Sequence, residues 1–251
     1  MYEELINLII ETLHNNNYTI QSIETVEAVK RRKNGEVFSF EDHIAGMVYA
    51  LLGNQRSWKV ISDNYENIRK IFHDFDAEFL QTVEPSILVN NIREIKCGNR
   101  SIYGQMNALS HNIEQFKRVR DNYGSMDNYV TSDEPLVIAN SFSSGEYKLK
   151  QMGIALVIEY LKNVGIDAFK PDLHIKRLFG SERLGLSNKR LATENEILDI
   201  VKQISCKIDI SVVEIDSIIW QFCATRYAEI CSSTPQCEKC LVKTRCNYKR
   251  T

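Results

Sequence analysis

Four cysteines near the end of the chain constrain its fold more than any other feature of the sequence. Cys231, Cys237, Cys240 and Cys246 are spaced C-x5-C-x2-C-x5-C. Four thiolates on so short a segment can surround one soft metal centre, either zinc or an iron–sulfur cluster. A zinc ribbon usually has two C-x2-C pairs separated by a longer spacer, and this segment has one. The spacing therefore predicts a metal site, with a 4Fe–4S cluster favoured and zinc as the alternative.

The sequence predicts a cytoplasmic protein. Its first residues are acidic and lack the basic-then-apolar order of a signal peptide, and its longest apolar run, 47–52, is too short to span a bilayer. In a reducing compartment, clustered cysteines act as metal ligands and not as disulfides. Cys97, Cys206 and Cys223 stand apart from the cluster, and each is predicted to be a small buried hydrophobe.

Composition and periodicity favour an all-helical fold. Only 4 Pro and 11 Gly occur in 251 residues, whereas all-β folds need many turns. Two capping boxes, Thr193-x-x-Glu196 and Ser211-x-x-Glu214, predict helix starts, and the second helix leads into the first clustered cysteine. Apolar residues recur at helical spacing in several further windows, which predict helices over 2–13, 41–53, 57–73, 85–92, 102–120 and 153–164.

The overall charge gives a mild argument against a nucleic-acid partner. The net charge is −2 and the sequence pI is about 6.2, whereas many proteins that bind nucleic acids are strongly basic. The basic run 30–33 is interpreted as a solvated face, which is the usual fate of such runs.

Three segments upstream of the cysteines carry residues of chemical interest. The segment 171–177 reads P-D-L-H-I-K-R, and its Asp172 follows a proline at a predicted helix start, where an aspartate is an ordinary N-cap. Gly153 interrupts the pattern between two predicted helices. Gln55 follows another predicted helix, where an ordinary exposed polar residue between two helices is the favoured interpretation.

Together with the cysteines, these segments resemble the endonuclease III group of the helix-hairpin-helix (HhH-GPD) DNA glycosylase superfamily. Asp172, His174 and Arg177 agree with the family segment V-D-T-H-h-x-R, and 149–155 falls where the family has L-P-G-h-G, of which the leucine and the second glycine are kept. The segment 51–55 is similar to the one that carries the family's wedge glutamine. The family's usual cysteine spacing is C-x6-C-x2-C-x5-C, one residue longer in the first loop. The resemblance covers about 38–246.

The resemblance implies an all-α, two-lobed fold. It places a six-helix barrel with the helix-hairpin-helix at 37–165, and a C-terminal helical lobe with the four-cysteine iron–sulfur loop at 166–251. It also implies that the N-terminal helix and a crossing segment, together 1–36, pack with the C-terminal lobe.

The resemblance further implies a monomeric enzyme that binds double-stranded DNA, away from membranes, and hydrolyses the N-glycosidic bond of a damaged, mismatched or modified base. Asp172 would be the catalytic carboxylate that stabilises positive charge on the sugar. Gln55, Lys150, Gly153 and Arg177 would bind DNA. Bifunctional members have a lysine two residues after the second hairpin glycine, where this chain has Ala155, so we expect base removal without strand cleavage.

Two other functions are compatible with the same residues. The chain is alternatively a non-catalytic DNA-binding protein of this fold, because the hairpin is altered and the lysine is missing. It is alternatively a zinc-stapled helical interaction protein without a role on DNA.

Overall fold

All regular elements in the described part of the chain are helices, which confirms the predicted all-α class. The computed structural model describes residues 2–21, 23–208 and 210–248. In chain order the helices are α1 (Tyr2–Asn15), α2 (Glu24–Lys33), α3 (Phe40–Leu52), α4 (Trp58–Ser62), α5 (Tyr65–Ile71), α6 (Ala77–Thr82), α7 (Pro85–Glu94), α8 (Ile102–Tyr123), α9 (Met126–Val130), α10 (Pro135–Ser143), α11 (Ile154–Asn163), α12 (Leu173–Phe179), α13 (Glu194–Ser205) and α14 (Val212–Cys223). No helix in this part of the chain is both long and apolar enough to cross a membrane.

The chain divides into two units, one of which is inserted into the other. The terminal unit comprises Met1–Val26 and Asp167–Thr251, and the central unit comprises Glu27–Ile166. Residues 27–36, which the resemblance grouped with the terminal segments as a crossing, are instead mostly helical and pack with the central unit.

The terminal unit has an apolar core of its own. Helix α1 turns the fully buried side chains of Ile6, Ile9 and Leu13 towards it, and their spacing of three and four residues places them on one face. Ile219 and Phe222 of α14 belong to the same core. Both predicted capping boxes are present at the starts of α13 and α14.

One predicted helix is broken in the structure. The window 57–73 forms α4 and α5 with a short interruption between them. At this break the Asn64 side-chain amide donates a hydrogen bond to the Val60 carbonyl oxygen at 3.0 Å. Asparagine side chains compete with the backbone hydrogen bonds of a helix in this way. The apolar residues keep their helical spacing on both sides of the break, which is why the sequence predicted a single helix.

A buried ion pair joins α2 to α9 in the central unit. The Arg32 guanidinium donates to both carboxylate oxygens of Asp127, at 3.0 and 2.5 Å, and also to the Val164 carbonyl oxygen. Part of the basic run 30–33 is therefore structural, and the interpretation of the whole run as a solvated face was wrong for Arg32. The run also ends α2, where positive charge is favourable for the helix dipole.

His43 completes this network from α3. Its Nδ1 lies 2.8 Å from the Tyr160 hydroxyl, and its Nε2 lies 3.4 Å from Asp127 Oδ1. Burial lowers the pKa of His43, against the opposing effect of Asp127. Burial alone would raise the pKa of Asp127, but hydrogen bonds from His43 and Arg32 hold that pKa well below its usual range.

We expect Asp127→Asn to lower the free energy of unfolding by about 3–5 kcal/mol at neutral pH, because the Arg32 charge then stays buried without its partner. The depressed pKa of Asp127 adds stability that is complete above the unfolded-state pKa of about 3.9 and is lost as the pH falls below it. Urea unfolding measured from pH 7 down to pH 3 should therefore show a shallower acid dependence in Asp127→Asn.

Asp63→Asn is the matched control. Asp63 pairs with Lys59 on the surface of α4, and an exposed pair of this kind contributes about 0.2–1 kcal/mol. Equal destabilisation by the two substitutions would show that the Asp127 pair is no more important than a surface pair.

Candidate functional site

The four clustered cysteines lie on a loop that is hydrogen-bonded to α14 and to α1 of the terminal unit. The Cys231 amide donates to the Phe222 carbonyl oxygen at 3.1 Å, which holds the start of the loop against the end of α14. Two short 3-10 turns, Cys237–Lys239 and Leu241–Arg245, carry the rest of the loop.

Helix α1 holds the middle of the cysteine loop. The Leu241 amide donates to the Thr12 hydroxyl oxygen at 3.1 Å, and the Asn16 side-chain amide donates to the Lys239 carbonyl oxygen at 3.0 Å. Arg245 forms an ion pair with Glu4 at the start of α1. The loop is therefore fixed by contacts that span more than 220 positions of sequence.

All four cysteines border one cavity of about 300 Å³. Apolar side chains form much of the remaining wall, and two basic residues, Arg183 and Lys243, also contribute to it; the apolar members include Ile9, Leu178, Phe222, Ile230 and Val242. Cys231 is buried, while the other three cysteines are partly exposed.

The four cysteines have the donor chemistry of a metal centre, although their side chains are not arranged in ligand geometry. One zinc ion would need its thiolates about 2.3 Å away, all converging on one point. Among the described residues, no group of three or more Cys, His, Asp or Glu side chains is arranged to hold a metal ion, and the four cysteines border one cavity. Thiolates that surround a volume, with apolar walls behind them, fit the requirements of a cubane cluster.

The thiols of this cavity have perturbed acidities. Burial raises the pKa of Cys240 to about 11. A hydrogen bond with Cys223 lowers the pKa of Cys231, and the positive charges of Arg183 and Arg177 act in the same direction. Cys223 itself is fully buried, as predicted, and so is Cys97, whereas Cys206 is exposed at the end of α13, contrary to the prediction.

Asp172 is the N-cap of α12. Its Oδ1 accepts hydrogen bonds from the His174 and Ile175 amides at 2.8 and 3.1 Å. Asp172 is partly exposed, and no hydrogen bond in the described part of the chain uses its Oδ2. The capping role inferred from the sequence is confirmed, and the carboxylate keeps one oxygen for another partner.

Arg177 and His174 lie on the same short helix. Arg177 is close enough to Cys231 to lower the pKa of that thiol, so its charge acts on the cysteine cavity; its contact with DNA stays a prediction. His174 is partly buried, and its Nδ1 has no hydrogen-bond partner among the described residues.

The predicted hairpin lies between α10 and α11 in the central unit. The Leu149 amide donates to the Phe142 carbonyl oxygen at 2.7 Å, and Leu149 and Met152 are buried on the inner side of the turn. Gln151 has a φ of 61°, the left-handed region that glycine adopts most easily. This strained backbone stands where the family pattern has its first glycine.

Gly153 is the N-cap of α11, and a Cβ atom placed on it would meet nothing within 4 Å. The first amides of a helix have no partner within the helix and carry the positive end of its dipole. The start of α11 thus presents open backbone donors beside the exposed Lys150. Ala155 follows in the first turn and is partly buried.

Asn112 of α8 holds the hairpin and was missed by the sequence analysis. Its Oδ1 accepts from the Lys150 amide at 2.8 Å, and its Nδ2 donates to the Lys150 carbonyl oxygen at 3.1 Å. The side chain is fully buried. The sequence could have revealed it, because Asn112 is a polar residue on the apolar side of the predicted helix 102–120, next to Ile113 and Phe116.

Gln55 is exposed in the turn that follows α3, with a φ of 56°. Asn99 supports the end of α3 by donating from Nδ2 to the Leu51 and Leu52 carbonyl oxygens at 2.9 and 3.3 Å. Gln55 is thus presented to solvent on a supported turn, and its role as a wedge stays a prediction.

Neither a scan against protein-family models nor a search of the curated proteins finds a match for this chain. Two solved structures of an 8-oxoguanine DNA glycosylase from Methanocaldococcus jannaschii do match it. One is the glycosylase/lyase in complex with a 15mer DNA containing 8-oxoguanine, with 19% identity, a TM-score of 0.57, and coverage of 86% of this chain and 95% of that chain. The other shows 20% identity, a TM-score of 0.58, and coverage of 86% and 94%.

At this level of identity the similarity establishes the fold. The chain has the helical fold of these helix-hairpin-helix glycosylases over most of its length, which confirms the fold class that the resemblance implied.

We expect Asn112→Ala to destabilise the protein by about 1–3 kcal/mol, because it leaves a backbone donor and acceptor of the hairpin without partners. Hydrogen exchange at the Lys150 amide should accelerate by more than exchange elsewhere in the central unit.

Asn107→Ala on the same helix is the control. Asn107 is exposed and donates only to the Tyr103 carbonyl oxygen of its own helix, so its loss should change stability by about 0.5 kcal/mol or less. Unchanged protection of the Lys150 amide in Asn112→Ala would contradict the role assigned to Asn112.

Proposed function

We propose that this protein is a monofunctional DNA N-glycosylase that removes a damaged or modified base from duplex DNA and leaves an abasic site. The observation that carries the proposal is Asp172, whose carboxylate is held through one oxygen while the other has no partner in the described chain. The shared fold with structures of glycosylases, one of them bound to DNA, supports the same conclusion.

The reaction requires a carboxylate at the sugar. Departure of the base leaves positive charge on the deoxyribose in an oxocarbenium-like transition state. A fixed carboxylate stabilises that charge and can orient or deprotonate the attacking water. Because the amides of His174 and Ile175 fix Asp172 Oδ1, Oδ2 has a defined direction before substrate binds.

The hairpin supplies the contact with the DNA backbone. The open amides at the start of α11 suit a phosphate oxygen, and Gly153 has no side chain to obstruct its approach. Lys150 adds a positive charge next to them. A base inside a duplex must be flipped out to be reached, and we assign the filling of the vacated space to Gln55, whose amide can hydrogen-bond to the orphaned base.

The absence of strand cleavage follows from Ala155. A lyase reaction needs an amine that forms a Schiff base with the sugar, and the methyl group at this position cannot provide one. Water is then the nucleophile, and the product is an intact strand with an abasic site. The relatives by structure are named glycosylase/lyase and 8-oxoguanine DNA glycosylase, so 8-oxoguanine duplexes are the first substrates to test.

We expect Asp172→Asn to lower single-turnover base excision by about 100- to 10,000-fold, the usual contribution of a positioned acid or base. Asparagine caps a helix about as well as aspartate, so the variant should unfold at the same urea concentration as the wild type. The measurement is release of base from duplexes that carry 8-oxoguanine and other modified bases.

The products of the same assay test the lyase assignment. Strands should stay intact until treated with alkali, and borohydride should trap no protein–DNA adduct, while Ala155→Lys serves as the variant in which trapping becomes chemically feasible. Full excision by Asp172→Asn would refute the catalytic role. DNA binding without excision of any base would favour the non-catalytic alternative.

For the cysteine cavity we propose a 4Fe–4S cluster bound by Cys231, Cys237, Cys240 and Cys246, with a structural role. The support is that these four cysteines border one cavity of about 300 Å³ whose remaining wall is largely apolar. The cluster would tie the cysteine loop, which contributes few apolar side chains, to the core formed by α1 and α14.

We expect protein purified without air to be brown and to contain about four irons and four sulfides per chain. Removal of the metal by a chelator should lower the urea midpoint, because metal binding contributes directly to the stability of such a segment. A colourless protein with one zinc per chain would exclude the cluster and favour the zinc alternative.

A further inference from the structure

Arg183 is a buried arginine in the wall of the cysteine cavity. It lies on the turn that follows α12 and is only 5% exposed. Backbone hydrogen bonds fix this turn: the Arg183 amide donates to the Gly180 carbonyl oxygen at 3.1 Å, and the Leu184 amide donates to the Leu178 carbonyl oxygen at 3.0 Å. The side chain therefore starts from a rigid position beside the four cysteines.

The charge of Arg183 has no carboxylate partner in the described part of the chain. Its Nη1 is buried and makes no hydrogen bond there. The guanidinium lies over the ring of Tyr248, 3.8 Å from the ring centroid. Burying a cation with an unused donor is costly, and a stacked ring offsets only part of that cost.

The residues after the last cysteine hold Arg183 in place. The Asn247 amide donates to the Arg183 carbonyl oxygen at 2.6 Å, and the Asn247 side chain donates to the Ser181 carbonyl oxygen at 3.0 Å. Tyr248, the next residue, stacks on the guanidinium. The two residues that follow the last cysteine, Asn247 and Tyr248, therefore fix both the backbone and the guanidinium of Arg183.

The negative charge that this cation requires is available at the cavity. Arg183 acts electrostatically on both Cys231 and Cys246, which are the first and last of the four cysteines. A cluster bound by four thiolates carries net negative charge, and hydrogen bonds to its sulfurs tune its potential and its stability.

We propose that Arg183 is a cluster-binding residue: its guanidinium donates a hydrogen bond to a sulfur of the bound iron–sulfur cluster and neutralises part of the cluster's negative charge, while Tyr248 holds the guanidinium in position. The proposal rests on the cluster proposed above. The spacing of the cysteines predicts the four ligands but gives no indication of this role for Arg183.

The test compares Arg183→Met, Arg183→Lys and the control Arg190→Met in full-length protein purified without air. Arg190 lies on the same connection between α12 and α13, but its side chain is 81% exposed and pairs with Glu182. The readouts are iron and sulfide per chain, the rate of iron release to a chelator, and the reduction potential of the cluster. None of them depends on base excision.

We expect Arg183→Met to release iron about tenfold faster than the wild type, as losses of outer partners of a metal site typically do, and to shift the reduction potential to a more negative value. Arg183→Lys should keep a potential closer to that of the wild type, because it retains the charge, and Arg190→Met should match the wild type in every readout. Wild-type iron release and potential in Arg183→Met would overturn the proposal.

A second measurement decides the matter if Arg183→Met does not fold. Pulsed EPR of the reduced cluster in protein labelled with ¹⁵N-arginine should show a nitrogen coupling that is lost in Arg183→Lys. Retention of the full coupling in Arg183→Lys would assign it to another arginine, such as Arg177, and overturn the proposal. Protein that contains zinc and no sulfide would also overturn it, whereas the glycosylase proposal would still be judged by base excision alone.

Discussion

The attachment of the cysteine loop to α1 is the constraint on which the terminal unit depends. Thr12 and Asn16 bind the loop through the Leu241 amide and the Lys239 carbonyl oxygen, although the whole central unit is inserted between these segments. Ordering contacts so distant in sequence has a large entropic cost, and the loop itself contributes little apolar surface to offset it. A bound metal centre would reduce this difficulty, because four ligand bonds hold the loop in its folded shape.

Two arginines, Arg32 and Arg183, have their charges compensated in different ways. Arg32 lies against the carboxylate of Asp127 and is fully paired, and the pair joins α2 to α9. Arg183 is more deeply buried than Arg32, and a tyrosine ring and a cavity bordered by thiols replace the carboxylate. Since an uncompensated buried charge is strongly destabilising, the second arrangement makes physical sense when the cavity holds negative charge. The buried guanidinium is therefore in keeping with the cluster proposed for this cavity.

The features that could be predicted from the sequence are those that depend on interactions between residues close together in the chain. The cap formed by Asp172, the two capping boxes and most helices depend on residues within a few positions of one another, and the sequence displays such relations directly. Asn112 and Arg183 were missed because their partners are distant: Asn112 binds the backbone of Lys150, and Arg183 is covered by Tyr248. The break at Asn64 was missed because apolar periodicity persists across it. Side-chain identity alone does not reveal a partner that only the fold brings near.

Asp172 shows how one residue can serve the fold and the proposed chemistry without conflict. A capping carboxylate needs only one oxygen for the helix amides, and here Oδ1 accepts both. The cap thereby orients the second oxygen, which is what a catalytic group requires before substrate arrives. In the proposed monofunctional reaction Ala155 offers no amine, so stabilisation of the charged sugar and delivery of water would fall to the carboxylate. The His174 and Ile175 amides, which both donate to Oδ1, give the carboxylate the fixed orientation that this proposed role requires.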